Sequence, residues 1–183
     1  MNEIALTSLE NLQSSDKARQ DTAFTTLMKS TAQSVDWAYD IWDALVKLLT
    51  DKDNRRRAIA AQVLCNLAKS DPKKKMQQTL PALLAVTKDE RFVTARHCMQ
   101  SLWKVGISSN DLQKQLLAGL GVRFDECAAE KNCTLIRYDI IVVLSQLFEK
   151  THDEQIRQTA QAWIAKEPDL KYRKKYAGVW KAK

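Results

Sequence analysis

A chain of 183 residues with a formal net charge of +7 and 45% hydrophobic residues is sized for one domain and can bury a continuous core without metal or disulfide staples. Four glycines and three prolines are too few for the many tight corners of a sheet, so helices joined by short turns are expected. No apolar stretch reaches membrane-spanning length, and Met1 to Glu10 has neither the basic start nor the apolar run of an export signal. A cytoplasmic location is therefore expected, with Cys65, Cys98, Cys127 and Cys133 as reduced thiols.

The start and stop signals place the elements in order. Ile4 to Leu12 predicts a short opening helix, and Ser14-Ser15-Asp16 offers caps for a helix holding Arg19 to Lys29. Ser34 or Asp36 is expected to start the next helix, in which Trp37, Ile41, Trp42, Leu45, Leu48 and Leu49 form an apolar stripe at helical spacing. Asp71 with Pro72 reads as an N-cap and first-turn pair for the helix carrying Leu80, Leu83 and Leu84. Ser108 to Asp111 opens a segment that could run to Lys131, with an interruption expected near Gly119 and Gly121. Thr134 to Glu149 and Asp153 to Lys166 complete the regular helices, and Pro168 marks their end.

Residues 48–67, LLTDKDNRRRAIAAQVLCNL, return 35 positions later as LLAVTKDERFVTARHCMQSL. Leu48, Leu49, Arg56, Ala60 and Leu67 are matched by Leu83, Leu84, Arg91, Ala95 and Leu102, and Leu64 by Met99. An earlier copy, Arg19, Ala23 and Leu27, is in phase with both; Ile156, Ala160 and Ile164 form a looser one. Self-similarity at this period marks helix pairs that bury their apolar faces only by stacking on one another. A small Ala lets neighbouring helices approach, and Leu or Met one turn later fills the space between layers.

With turns at Asp51-Lys52-Asp53 and Lys88-Asp89-Glu90, these units resemble the HEAT repeat family over roughly residues 15–165. The segments VDWAYDIWDALVKLL, LCNLAKSD and KYRKKYAGVW also look like compact prokaryotic HEAT proteins with no assigned activity. The resemblance implies a right-handed α-α superhelix, an armadillo-like α-solenoid of about four to five antiparallel helix pairs. It makes the whole chain, 1–183, one repeat domain, with 167–183 as a basic and aromatic C-terminal cap.

No complete catalytic constellation stands out. Glu149-x-x-His152 lacks the second Glu-x-x-His of a di-iron bundle, and Cys127 and Cys133 have neither zinc-knuckle spacing nor a second pair. Cys98 and His97 are adjacent in sequence and so point away from each other on a helix, and Gly119-x-Gly121 lacks the rest of a dinucleotide fingerprint. Asp36, Asp40 and Asp43 read as a solvated ridge. No cofactor or metal is expected, and the chain is read as non-enzymatic.

Charge is the more useful clue. Residues 1–50 carry a net −3, residues 51–110 a net +7 and residues 111–183 a net +3. The repeated Arg19, Arg56 and Arg91 are expected to bond turn carboxylates such as Asp53 or Asp89. Arg55, Arg57, Arg96, His97, Gln100 and Lys104 fall off the core stripe and are the candidates for gripping a protein or peptide partner of acidic character. A second candidate is the tail, where Lys171, Arg173, Lys174 and Lys175 alternate with Tyr172, Tyr176 and Trp180; an amphipathic helix there would bury its aromatic face and show its cations to an anionic partner.

The leading expectation is a non-catalytic binding scaffold. The alternative is nucleic-acid binding like that of HEAT-like alkylpurine DNA glycosylases, for which Asp139, Trp103 and Trp163 are residues of suitable type.

Overall fold

The computed structural model describes residues 2–180, and among them every regular element is helical. Eleven α-helices divide between two compact units, residues 1–101 and 102–183.

In the first unit, α1 (Glu3–Leu12), α2 (Lys17–Ser30), α3 (Ala38–Leu48), α4 (Asn54–Leu67), α5 (Lys75–Val86) and α6 (Phe92–Met99) form three successive hairpins. The second helix of each stacks on the next, α2 on α4 and α4 on α6, and α1 lies against α3. The repeat residues sit where stacking requires them: Ala23, Ala60 and Ala95 are buried, and so are Leu27, Leu64 and Met99 one turn later. A larger side chain at the Ala positions would overpack the seam, typically at a cost of 1–3 kcal/mol. On α3 the apolar stripe is buried at Ile41, Trp42, Leu45 and Leu48, and Trp42 Nε1 donates to Thr79 Oγ1 of α5 at 3.1 Å.

Caps follow the acidic and Ser signals, with two differences. Asp16, Asp53, Asp153 and Asp169 each accept a first-turn amide, as does Ser109 from Leu112. Such caps are worth about 1 kcal/mol each. Neither Ser34 nor Asp36 caps α3, which begins at Ala38 with Trp37 before it and no side-chain cap. Ser34 instead pairs its hydroxyl with that of Ser70. Asp71 does accept the amides of Lys75 and Met76, at 3.0 and 2.6 Å, but Pro72 precedes the helix. Lys73 donates its amide to Tyr39 Oη, and Lys74 turns the chain through a left-handed φ of 56° before α5 starts.

In the second unit, α7 (Trp103–Gly106), α8 (Asn110–Glu126), α9 (Cys133–Thr151), α10 (Glu154–Lys166) and α11 (Leu170–Gly178) pack around α9. Ile140, Leu144 and Leu147 form its buried seam, and Ile156 and Ala160 of the looser repeat copy are buried beside it. α8 runs without a break through Gly119 and Gly121 and gives way to a 3-10 turn only at Cys127–Ala129. A Cβ on Gly121 would lie 3.1 Å from Trp163 Cζ2, so this glycine seats a neighbouring ring and does not interrupt the helix.

Candidate partner surface

The Arg55-Arg56-Arg57 run opens α4, where Asp53 holds the amides of Arg55 and Arg56 at 2.8 and 3.1 Å. Successive helical positions turn by about a third of a circle, so the three guanidinium groups reach three different places. Arg55 forms an ion pair with Asp21 of α2. Arg56 donates to the Gln13 carbonyl at 2.6 Å and lies 3.5 Å from Asp51. Arg57 crosses to the next turn and holds Asp89 through two bonds, Nε at 2.5 Å and Nη2 at 2.8 Å, while Nη1 donates to the carbonyls of Asp51 and Lys52.

The guanidinium that holds Asp89 is thus that of Arg57, one residue after the repeat position for which the bond was expected. Arg56 takes Asp51, and Arg19 lies exposed with Asp16 at 3.8 Å. Burial opposes ionisation of Asp89, but the Arg57 bonds, the Arg91 amide and the two nearby positive charges outweigh it and hold this carboxyl below its usual range. The same bond from Asp89 holds Arg57 protonated more firmly. Arg55 and Arg57 therefore tie successive hairpins together, a role that local sequence phase does not reveal.

The other candidates separate by element. On α6 the buried face is Thr94, Ala95, Cys98 and Met99, leaving His97 and Gln100 exposed and Val93 64% exposed on the opposite side. Arg96 is half-buried with its guanidinium 5.8 Å from the Phe92 ring centre. Lys104 belongs to the second unit, on α7, with its ammonium 5.8 Å from the Trp103 ring.

On α11, Asp169 caps the amides of Lys171 and Tyr172, and Tyr176 is fully buried against α9. Its hydroxyl donates to the Thr134 carbonyl at 2.6 Å and lies 3.2 Å from Glu167 Oε2, a carboxylate only 1% exposed that also receives Arg137 Nη1 at 3.1 Å. Burial, reinforced by Glu167, pushes the Tyr176 phenol well above its usual range. Trp180 is half-buried on Phe148, with ring centres 5.5 Å apart. Arg173 donates Nε and Nη2 to the Glu167 carbonyl, at 2.8 and 2.6 Å. Lys171 and Lys174 are exposed, and Lys175 lies 4.5 Å from the Tyr138 ring. The tail residues Lys181 and Lys183 lie outside the described residues.

The buried Glu167–Arg137–Tyr176 cluster escaped the sequence reading. Its traces in the sequence are an acid directly before Pro168 and the aromatic face of the tail, whose burial at Tyr176 was expected.

The residues considered for chemistry do not converge. Asp139 is 2% exposed within α9, and the half-buried Trp163 ring packs on Phe124 with centres 5.5 Å apart. His152 is the left-handed residue ending α9, with its ring 6.0 Å from Phe148. All four cysteines are free, and Cys127 bonds the Phe124 carbonyl at 3.3 Å. Burial, the bond to Cys133 and that neighbour's charge push its thiol up to about 12. No group of three or more metal-ligating side chains occurs among the described residues, nor is any helix there long and apolar enough to cross a membrane.

No family model and no curated protein matches the chain. Solved structures do. Two engineered proteins, 16% and 18% identical, each align at a TM-score of 0.52 over 98% of this chain and over 88% and 95% of their own. A designed armadillo repeat protein, 16% identical, aligns at 0.51 over 98% of this chain and 99% of that one. At such identities the likeness speaks to fold alone, and with the stacked Ala and Leu seams it establishes an all-α, armadillo/HEAT-like helical repeat fold.

Proposed function

We propose that the chain is a non-catalytic binding scaffold whose repeats present a side-chain surface to a protein or peptide partner, one of acidic character. The observation that carries the reading is α6. Its inner face is committed to the core, and Val93, His97 and Gln100 form an outward stripe at helical spacing beside the guanidinium of Arg96. Repeat folds bind through such exposed rows because each unit adds side chains at the same height. Arg91, exposed at the start of the same helix, extends the positive character. Arg55 and Arg57 contribute less, since carboxylates already engage them.

Nucleic acid is the competing partner. Affinity-tagged protein incubated in native lysate, with and without nuclease, separates the two. The reading expects a protein captured equally in both arms, and retained less than a tenth as well by His97→Glu/Gln100→Glu, two exposed substitutions that leave the core untouched. Capture lost on nuclease treatment, or unaffected by the double substitution, defeats it, and so does a turnover reaction abolished by one point mutation.

A further inference from the structure

The second unit holds a concavity that places two of the tail cations, Arg173 and Lys174, beside apolar side chains. Between α10 and α11 lies an open groove of about 530 Å³. It is lined by Ile164 and Ala165 of α10, by Arg173, Lys174 and Ala177 of α11, and by Trp180 just after α11 ends. Two of the lining residues are alanines, so a longer side chain at either position would enter the groove.

We infer that this groove docks an acidic amphipathic helix of a partner protein. The charge argument is specific to α11: Leu170–Gly178 contains Lys171, Arg173, Lys174 and Lys175 and no carboxylate. The nearest acid in sequence, Asp169, already accepts two amides of its own helix. Arg173 is positioned by a carbonyl, which orients the guanidinium without neutralising it. Lys174 is exposed beside it.

The shape argument favours a helix over other anions. Arg173 and Ala177 lie one turn apart on α11 and Trp180 follows in the turn after it, a row of about 10 Å, enough for two turns of a partner helix. Apolar anchors one turn apart would enter the groove, and Asp or Glu on the flank would meet Arg173 and Lys174, the helix-in-groove mode of peptide recognition. A flat anionic bilayer cannot follow a concave groove, whereas a helix about 10 Å across can.

The inference rests on the binding-scaffold reading but uses a different helix from α6, so the two fail separately. A displayed library of random twelve-residue peptides is selected on the whole chain. The expected winners carry a net negative charge and two apolar residues three or four positions apart. Their affinity should fall at least tenfold on Lys174→Glu and on Ala177→Gln, which fills the groove, and should be unchanged by His97→Glu/Gln100→Glu. Ala165→Gln provides a second groove-filling variant should Ala177→Gln unfold.

Selection of neutral or basic sequences, winners insensitive to Lys174→Glu, or no enrichment at all overturns the inference. A parallel arm offers phosphatidylserine vesicles; binding to them that is lost in Lys174→Glu assigns the surface to membranes and overturns it as well.

Discussion

Arg57 shows how one residue of phase separates a free cation from a structural one. Its side chain is 12% exposed and that of Asp89 only 5%, so the pair sits in a poorly screened setting where losing one partner strands a charge. Asp89→Asn should cost about 3 kcal/mol at neutral pH, toward the lower end for a broken buried pair because Arg57 keeps two backbone carbonyls. The pH dependence follows from the direction of the shift. Asp89 ionises more readily folded than unfolded, so its contribution is complete above the ordinary carboxylate range, near 4. It is lost as pH falls through the lower folded value. Urea unfolding of the parent and of Asp89→Asn, followed by circular dichroism, should therefore show a wide stability gap at pH 7 that narrows steadily below pH 4. A gap independent of pH would mean that the carboxylate charge is not what holds Arg57.

At the level of elements, glycine has opposite meanings in two helices. A Cβ on Gly106 would meet Leu147 Cδ2 at 2.6 Å and Leu116 Cδ2 at 3.0 Å, and both leucines are fully buried and cannot withdraw. Gly106→Ala should cost about 1–3 kcal/mol, as overpacked cores do. Gly178, closing α11, has nothing within 4 Å, so Gly178→Ala should gain about 0.5 kcal/mol by restricting the unfolded chain. Thermal unfolding of the two variants should move in opposite directions; a shift of the same sign would contradict the packing around α7. The contrast also marks what a sequence can reveal about elements. Ala23, Ala60 and Ala95 identify the stacked seams because burial there depends on local periodicity and recurs every repeat. Gly119 and Gly121 looked like a break because the ring that occupies the space at Gly121, Trp163, lies some 40 residues away. Asp71 was legible as a cap, but the delay before α5 was not, since it depends on Tyr39 taking the Lys73 amide across 34 positions. The candidate surface fared likewise: α6's outward stripe follows from helical phase, whereas the ion pairs that occupy Arg55 and Arg57 are set by tertiary neighbours.

Across the whole molecule, the uneven charge along the chain is partly an internal balance. The acidic first fifty residues supply Asp21 to Arg55 and Asp43 to Lys75, so part of the basic middle is answered by carboxylates one hairpin earlier. Counted by compact unit, residues 1–101 carry +3 and residues 102–183 carry +4, so neither unit as a whole holds the +7 of the middle segment. This decides what a phosphate backbone would meet. Duplex binding weakens with salt at a log–log slope of about −0.9 for each phosphate neutralised. With Arg55 and Arg57 engaged, Arg91 is the exposed cation at the start of α6, and a slope no steeper than about −1 is expected for contact through that residue. Fluorescence anisotropy of a labelled 20-base-pair duplex between 50 and 300 mM salt measures it. Shallow dependence together with loss of binding near physiological salt agrees with a protein partner. A slope of −5 or steeper would require a row of free cations that the ion pairs of α4 exclude, and would transfer the α6 surface to nucleic acid.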